Sequence, residues 1–317
     1  MRTTTWIATT LAFTLAALSM SAADKKAQRR SADLPPTLEG AKVETYKTIG
    51  DVKLSIYIYT PADHQAADRR PAIVFFFGGG WRSGSPKQFE QQCKYFALRG
   101  MVAMTADYRV SSRHQTKAIA CVKDGKSAIR WVRANAARLG VDPQRIAAGG
   151  GSAGGHVAAC TGVLKGLEEE GENVTVSSAP NAMVLFNPAL ALAPVEGHAP
   201  LGGENLDGLK ERMGIEPEKL SPCHNVSKGA PPALVIHGKA DTTVPYWTAE
   251  AFAKAMKEAG NRCELAGYDG QQHGFFNFGR GDDKHFVETV RRADQFLVSL
   301  GYLKGEPTID QFAAGLK

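Results

Sequence analysis

The stretch Arg145-Ile146-Ala147-Ala148-Gly149-Gly150-Gly151-Ser152-Ala153-Gly154-Gly155-His156 constrains the fold of this chain more than any other. An apolar run enters a cluster of glycines, one serine follows, and a segment of small residues suited to a helix continues. Gly150-Gly151-Ser152-Ala153-Gly154 fits Gly-x-Ser-x-Gly, the pattern of a strand turned sharply into a helix with the serine at the tip. The neighbours must be small because such a tip brings backbone and flanking segments close together. The turn sets the Ser152 hydroxyl above a sheet edge, near the positive end of the following helix. Taken alone, the pentapeptide fits equally well a glycine-rich turn whose serine only caps the helix.

Around that turn the chain alternates strand and helix patterns. Val43 to Ile49 and Val52 to Tyr59 read as a hairpin closed by Gly50-Asp51. Ala72 to Phe77, Met101 to Ala106, Ala182 to Phe186 and Ala233 to Ile236 are continuous apolar runs, as in strands covered on both faces. Cys263 to Tyr268 reads as the last strand. Helical spacing recurs between them: Phe89, Cys93 and Phe96; then Ile119, Val122, Ile129, Val132 and Leu139, closed by Gly140 and Pro143; then Ala249, Phe252 and Met256; then Phe286, Val290, Ala293, Leu297 and Leu300. Such alternation predicts an α/β fold with a mostly parallel central sheet and helices on both faces. The expected organisation is one domain over 42–303, with a small insertion at 188–231 over the sheet edge, a linker at 24–41 and a tail at 304–317. The insertion is rich in alanine, proline, glycine and acidic residues, has no sustained period, and reads as a partial lid.

The first 23 residues read as an export signal: Arg2, an apolar run from Trp6 to Met20, then small residues at Ser21-Ala22-Ala23. The competing reading is a membrane anchor, but the run is shorter than the ~20 residues a span needs. The mature protein is thus expected to be secreted or periplasmic, without stable membrane insertion. The net charge of +6 is scattered, with no basic stripe interleaved with aromatics, which argues against nucleic-acid binding. Five cysteines (Cys93, Cys121, Cys160, Cys223, Cys263) match no Cys-x-x-Cys framework; an exported chain could pair at most four of them, and sequence does not choose the pairs. His156 and Cys160 have i, i+4 spacing without a further ligand cluster, so no metal site is expected.

Three polar residues fall just past the carboxyl ends of expected strands: Ser152, Asp241 and His273. In an open parallel sheet, that edge is where sites form. A serine hydroxyl is a weak nucleophile; it needs a base within hydrogen-bond reach, and the base needs an orienting carboxylate. The order Ser, Asp, His on three separate loops supplies all three.

With Phe77-Gly78-Gly79-Gly80-Trp81, Asp107-Tyr108-Arg109, the serine turn, Asp241 followed by Val244-Pro245, and His273-Gly274-Phe275, the sequence resembles the α/β-hydrolase fold. Within it, the chain is similar to the esterases related to hormone-sensitive lipase and the bacterial acetyl esterases, over about residues 70 to 300. The resemblance implies Ser152 as nucleophile, His273 as general base, Asp241 as the carboxylate that orients it, and the amides of Gly79, Gly80 and Ala153 as the oxyanion hole. It implies no cofactor. Asp269, four residues before His273, is the rival for the carboxylate role. Phe77 departs from the histidine these esterases usually carry before the three glycines, which puts the bracing of that loop in question. Trp81 either packs under the loop or lines the substrate pocket. His237 and His156 are expected to pack rather than react, and Asp107 and Arg109 to form an ion pair with each other. The expected activity is an exported serine esterase that removes acetyl or feruloyl groups from plant polysaccharides. The alternatives are a general short-chain carboxylesterase and a non-catalytic binding protein on a hydrolase fold.

Overall fold

The computed structural model describes residues 36–195, 197–199, 201 and 205–316. The expected export signal, and the expected linker up to residue 35, lie outside the described residues. Eight strands form one sheet: β1 (Lys42–Ile49), β2 (Val52–Tyr59), β3 (Arg70–Phe76), β4 (Val102–Ala106), β5 (Val141–Gly151), β6 (Ala182–Phe186), β7 (Ala233–Gly238) and β8 (Cys263–Tyr268). Their spatial order is β1-β2-β4-β3-β5-β6-β7-β8. β2 pairs antiparallel with β1 and with β4, and every other pairing is parallel. The sheet is therefore mostly parallel, with an antiparallel hairpin at one edge, the α/β-hydrolase arrangement expected from the sequence.

Helices cover both faces because the strands are apolar on both. In β3, six consecutive residues are buried. Ala72, Val74 and Phe76 face one layer, and Ile73 and Phe75 face the other. Burying one such large side chain stabilises the fold by roughly 1.5–3 kcal/mol. The first layer holds α2 (Ala118–Ala134), α3 (Ala153–Val163) and α5 (Trp247–Glu258); the second holds α1 (Glu90–Leu98), α6 (Lys284–Ser299) and α7 (Ile309–Ala314). Among the described residues no helix is long and apolar enough to cross a membrane.

Several expectations need correction. The helix expected to run to Leu139 ends at Ala134, and Leu139 reaches the core from the turns that follow. Pro143 does not close that helix; it lies inside the opening of β5, beside a register irregularity where the ladder can spare a donor. Both expected domain boundaries are too narrow. Leu38 is buried ahead of β1, and past residue 303 α7 docks through buried Ile309 and an Asp310–Arg291 ion pair. The 188–231 insertion is not aperiodic throughout: it contains a helix, α4 (Leu206–Met213), that buries Leu209 and Met213 in the core. Asp107 and Arg109 do not pair with each other. Asp107 binds Arg113 at 2.6 Å, while Arg109 binds Asp124 at 2.8 Å and Glu169 at 2.5 Å. Among the described residues no disulfide links the five cysteines.

Candidate active site

β5 delivers Ser152 and α3 leaves from it. Ser152 sits at φ 54, ψ −121, a backbone conformation that side-chain-bearing residues rarely adopt. The surroundings hold it there: its amide donates to Phe186 O at 2.9 Å, and its carbonyl accepts from the His156 amide at 2.9 Å. The motif glycines are required by close approach. A Cβ on Gly154 would lie 2.1 Å from Phe76 O, and one on Gly150 would lie 2.4 Å from Gly154 O.

The loops after β7 and β8 bring the other two residues to this tip. Ser152 Oγ lies 2.9 Å from His273 Nε2, and His273 Nδ1 lies 2.7 Å from Asp241 Oδ2. Since an ionised carboxylate only accepts, Nδ1 carries the proton and Nε2 is left to accept from the serine hydroxyl. Asp241 is nearly buried. Its Oδ1 accepts the amides of Thr243 and Val244, each at 2.9 Å, and its Oδ2 also accepts from Asn187 Nδ2 at 3.1 Å. Burial alone would raise the carboxyl, but hydrogen bonding by His237, His273 and the Val244 amide outweighs it and holds Asp241 well below the usual carboxylate range. Asp269, the sequence-level rival, is surface-exposed and pairs with Lys239 at 2.8 Å, away from this line.

Two residues around Asp241 escaped the sequence reading. Asn187 ends β6 with a left-handed backbone (φ 42), the one local hint that it is held for a purpose. His237, expected only to pack, is indeed buried, but its Nε2 also lies 3.4 Å from Asp241 Oδ2 while it donates to Val244 O at 2.8 Å.

Facing Ser152 is the Gly78–Trp81 loop. Gly79 has φ +128, and a Cβ there would meet Ser83 O at 2.1 Å, so the loop accepts only glycine at this point. The Gly78 amide is already taken: it donates to Gln88 Oε1 at 2.6 Å. Among the described residues, the amides of Gly79, Gly80 and Ala153 meet no acceptor. Ala153 opens α3, where first-turn amides have no partner inside the helix. Gly79, Gly80 and Ala153 line the same cleft as Ser152.

Phe77, at the position before the three glycines, packs against the core. Its ring stacks on Tyr108 at 4.1 Å, and its carbonyl accepts from Tyr108 Oη at 2.5 Å. Bracing by polar bonds comes from Gln88, which sequence reasoning missed. Trp81 is buried against the core and is also among the lining residues of the cleft, while its Nε1 donates to His156 Nδ1 at 3.1 Å. His156 Nε2 in turn donates to Leu220 O of the insertion at 2.8 Å. Burial pushes the His156 imidazole down to about 4, so it is neutral and both ring nitrogens are used. Cys160 lies 3.3 Å from the same ring, a packing contact.

The site opens into a cleft of about 640 Å³. Ala189, Leu201, Val244 and Phe276 make an apolar side, and Arg212 and Arg280 stand among its lining residues.

Comparison with known proteins agrees with this geometry. The BD-FAE family model matches residues 56–256. Esterase 2 of Thermogutta terrifontis, solved phosphorylated by paraoxon, is 55% identical, with 86% of this chain and 98% of that chain covered and a TM-score of 0.79. The same esterase with propionate bound is 57% identical, with 86% and 98% covered and a TM-score of 0.81. Esterase LipC of Mycobacterium tuberculosis is 31% identical over 65% of this chain and 53% of its own, so the chain spans about half the length of that relative. On this evidence the chain belongs to the BD-FAE family, among the serine esterases of the α/β-hydrolase superfamily.

Proposed function

We propose that this protein is a serine carboxylesterase working through an acyl-enzyme on Ser152, and that its substrates are acetyl or feruloyl esters of plant polysaccharides. The observation that carries the reaction is the hydrogen-bonded line Ser152–His273–Asp241, with Ser152 and His273 in a cleft that Gly79, Gly80 and Ala153 also line. His273 Nε2 takes the Oγ proton as Oγ bonds to the acyl carbon. The carbonyl oxygen then carries the negative charge, beside the three amides. Collapse of that intermediate breaks the ester bond, and His273 gives the proton to the leaving alcohol. Water repeats the sequence and frees the acid. Asp241 keeps the imidazole in the one tautomer that can do this and stabilises the imidazolium. Each oxyanion donor is worth roughly 10²–10³ in turnover.

The polysaccharide part of the proposal is supported by the volume of the cleft and the cationic side chains that line it, Arg212 and Arg280, and by the export signal read at residues 1–23. Export to the periplasm or outside the cell would place the enzyme where such polymers are found. A general short-chain carboxylesterase is the second reading, favoured by the propionate-bound and butyrate-bound structures of the Thermogutta terrifontis esterase. Ranking specificity constants for acetylated xylan, feruloylated oligosaccharides and simple aryl esters separates the two: preference for the saccharide esters supports the first reading, and preference for small aryl or alkyl esters the second. If wild-type protein hydrolyses none of them, both give way to a binding role.

A further inference from the structure

A second groove, of about 660 Å³, is lined by the Gly79–Trp81 loop but not by the serine. It adjoins the catalytic cleft, because Gly79, Gly80, Trp81 and Arg212 line both. One loop thus offers its amides to the ester carbonyl and also lines this groove. The two basins differ in character. The catalytic side is apolar at Leu201, Val244 and Phe276, which suits an acyl group. The second groove is lined by Arg82, Lys117 and Arg212 together with Ser111 and Gln115, and among the described residues that line it there is no carboxylate.

These cations are placed, not scattered. The Arg212 guanidinium stacks over Trp81 at 5.0 Å and donates to Gly80 O at 3.4 Å, so it stands at the junction of the two basins. Lys117 is held 3.4 Å from exposed Glu211 at the rim, a pair that solvent screens. Arg82 is exposed, and among the described residues its guanidinium meets no carboxylate. The backbone beneath is fixed by bonds from the Ser111 amide to Trp81 O at 3.1 Å and from the Ser112 amide to Arg82 O at 3.0 Å.

Resting on the esterase reading above, we propose that this groove is a subsite for the alcohol half of the substrate, and that it selects an oligosaccharide bearing a carboxylate, such as a uronic-acid branch. An ester held at Ser152 has two halves to accommodate. The apolar side takes the acyl group, and the alcohol half extends past Trp81 and Arg212. A hydroxyl-rich chain finds polar partners there, and a carboxylate on it finds the exposed Arg82 guanidinium, suited to bidentate hydrogen bonding.

The test compares three substrates at low and high salt: 4-nitrophenyl acetate, neutral acetylated xylo-oligosaccharides, and acetylated xylo-oligosaccharides carrying glucuronic acid. The expected result is a kcat/KM about tenfold higher for the acidic oligosaccharide than for the neutral one, the size of one charge-assisted hydrogen bond. The preference should shrink as salt rises, and Arg82→Ala or Arg82→Glu should abolish it with hydrolysis of 4-nitrophenyl acetate unchanged. If the wild type hydrolyses 4-nitrophenyl acetate but does not favour the acidic oligosaccharide, or if Arg82→Glu keeps the preference, the subsite is overturned and the esterase reading stands. If the wild type does not hydrolyse 4-nitrophenyl acetate, the esterase reading falls and the subsite falls with it.

Discussion

Gln88 ties the oxyanion loop to the histidine loop: its Nε2 donates to Asn277 Oδ1 at 2.9 Å, while its Oε1 accepts the Gly78 amide at 2.6 Å. Asn277 completes the strut by donating from Nδ2 to Gly274 O at 2.8 Å, one residue past His273. A backbone amide can only donate and a carbonyl can only accept, so the two ends of the chain fix the orientation of both side-chain amides. The strut sets the spacing between the groups that stabilise charge and the group that moves the proton. Gln88→Ala should therefore lower kcat by up to about 10²-fold with a small change in KM, and Asn277→Ala should do the same. Kinetics paired with thermal melting check this: a fall in Tm with kcat intact contradicts a positioning role.

Asp241 and Asp269 should separate cleanly. Asp241→Asn removes the acceptor that sets the His273 tautomer and should cost about 10⁴ in kcat. Asp269 is exposed and pairs with exposed Lys239, so Asp269→Ala should stay within a few-fold of wild type. Steady-state rates on 4-nitrophenyl acetate suffice, and equal losses in the two variants contradict the assignment.

The turn itself should tolerate no side chain. In Gly154→Ala the new Cβ would sit 2.1 Å from Phe76 O and 2.2 Å from Phe77 O. Both are backbone atoms of a central strand and the residue after it, and neither can move cheaply. Overpacking of this kind costs about 1–3 kcal/mol or more. Denaturant titration of the purified variant should show at least that loss, and wild-type stability would contradict the close approach.

Acid should unlock the insertion through His156. Burial depresses its pKa from 6.5 to about 4 in the folded protein, so between those pH values the unfolded chain takes up a proton that the folded one refuses. The stability this group contributes is complete above pH 6.5 and is lost as pH falls to about 4, up to ~3 kcal/mol in all. Unfolding free energy measured against pH should slope downward across that window in wild type and less steeply in His156→Phe. Parallel slopes contradict it.

Much of this was legible in the sequence, and the reason is physical. Central strands such as Ala72–Phe76 must be apolar on both faces, so they announce themselves as unbroken runs. The glycines around Ser152 are demanded by backbone contacts of 2.1–2.4 Å, which no other residue satisfies. Ser152, Asp241 and His273 were recognisable because each follows a strand, and strands were readable. Gln88, Asn277 and Asn187 were not, since a polar residue in a loop carries no periodicity and its partner lies far along the chain; Gln88 and Asn277 are 189 residues apart. Leu139 misled because burial keeps the apolar pattern going after the helix has ended. α4 was missed because two buried positions, Leu209 and Met213, are too few to establish a period.

The central claim is that Ser152 is the nucleophile, and covalent labelling tests it most directly. Incubation of wild-type protein with paraoxon, followed by intact-mass and peptide mass spectrometry, should show one diethylphosphoryl group, on Ser152, appearing in step with loss of esterase activity. Ser152→Ala should take up none and be inactive. An adduct on another residue that abolishes activity, or a Ser152→Ala protein that retains wild-type turnover, would contradict the account.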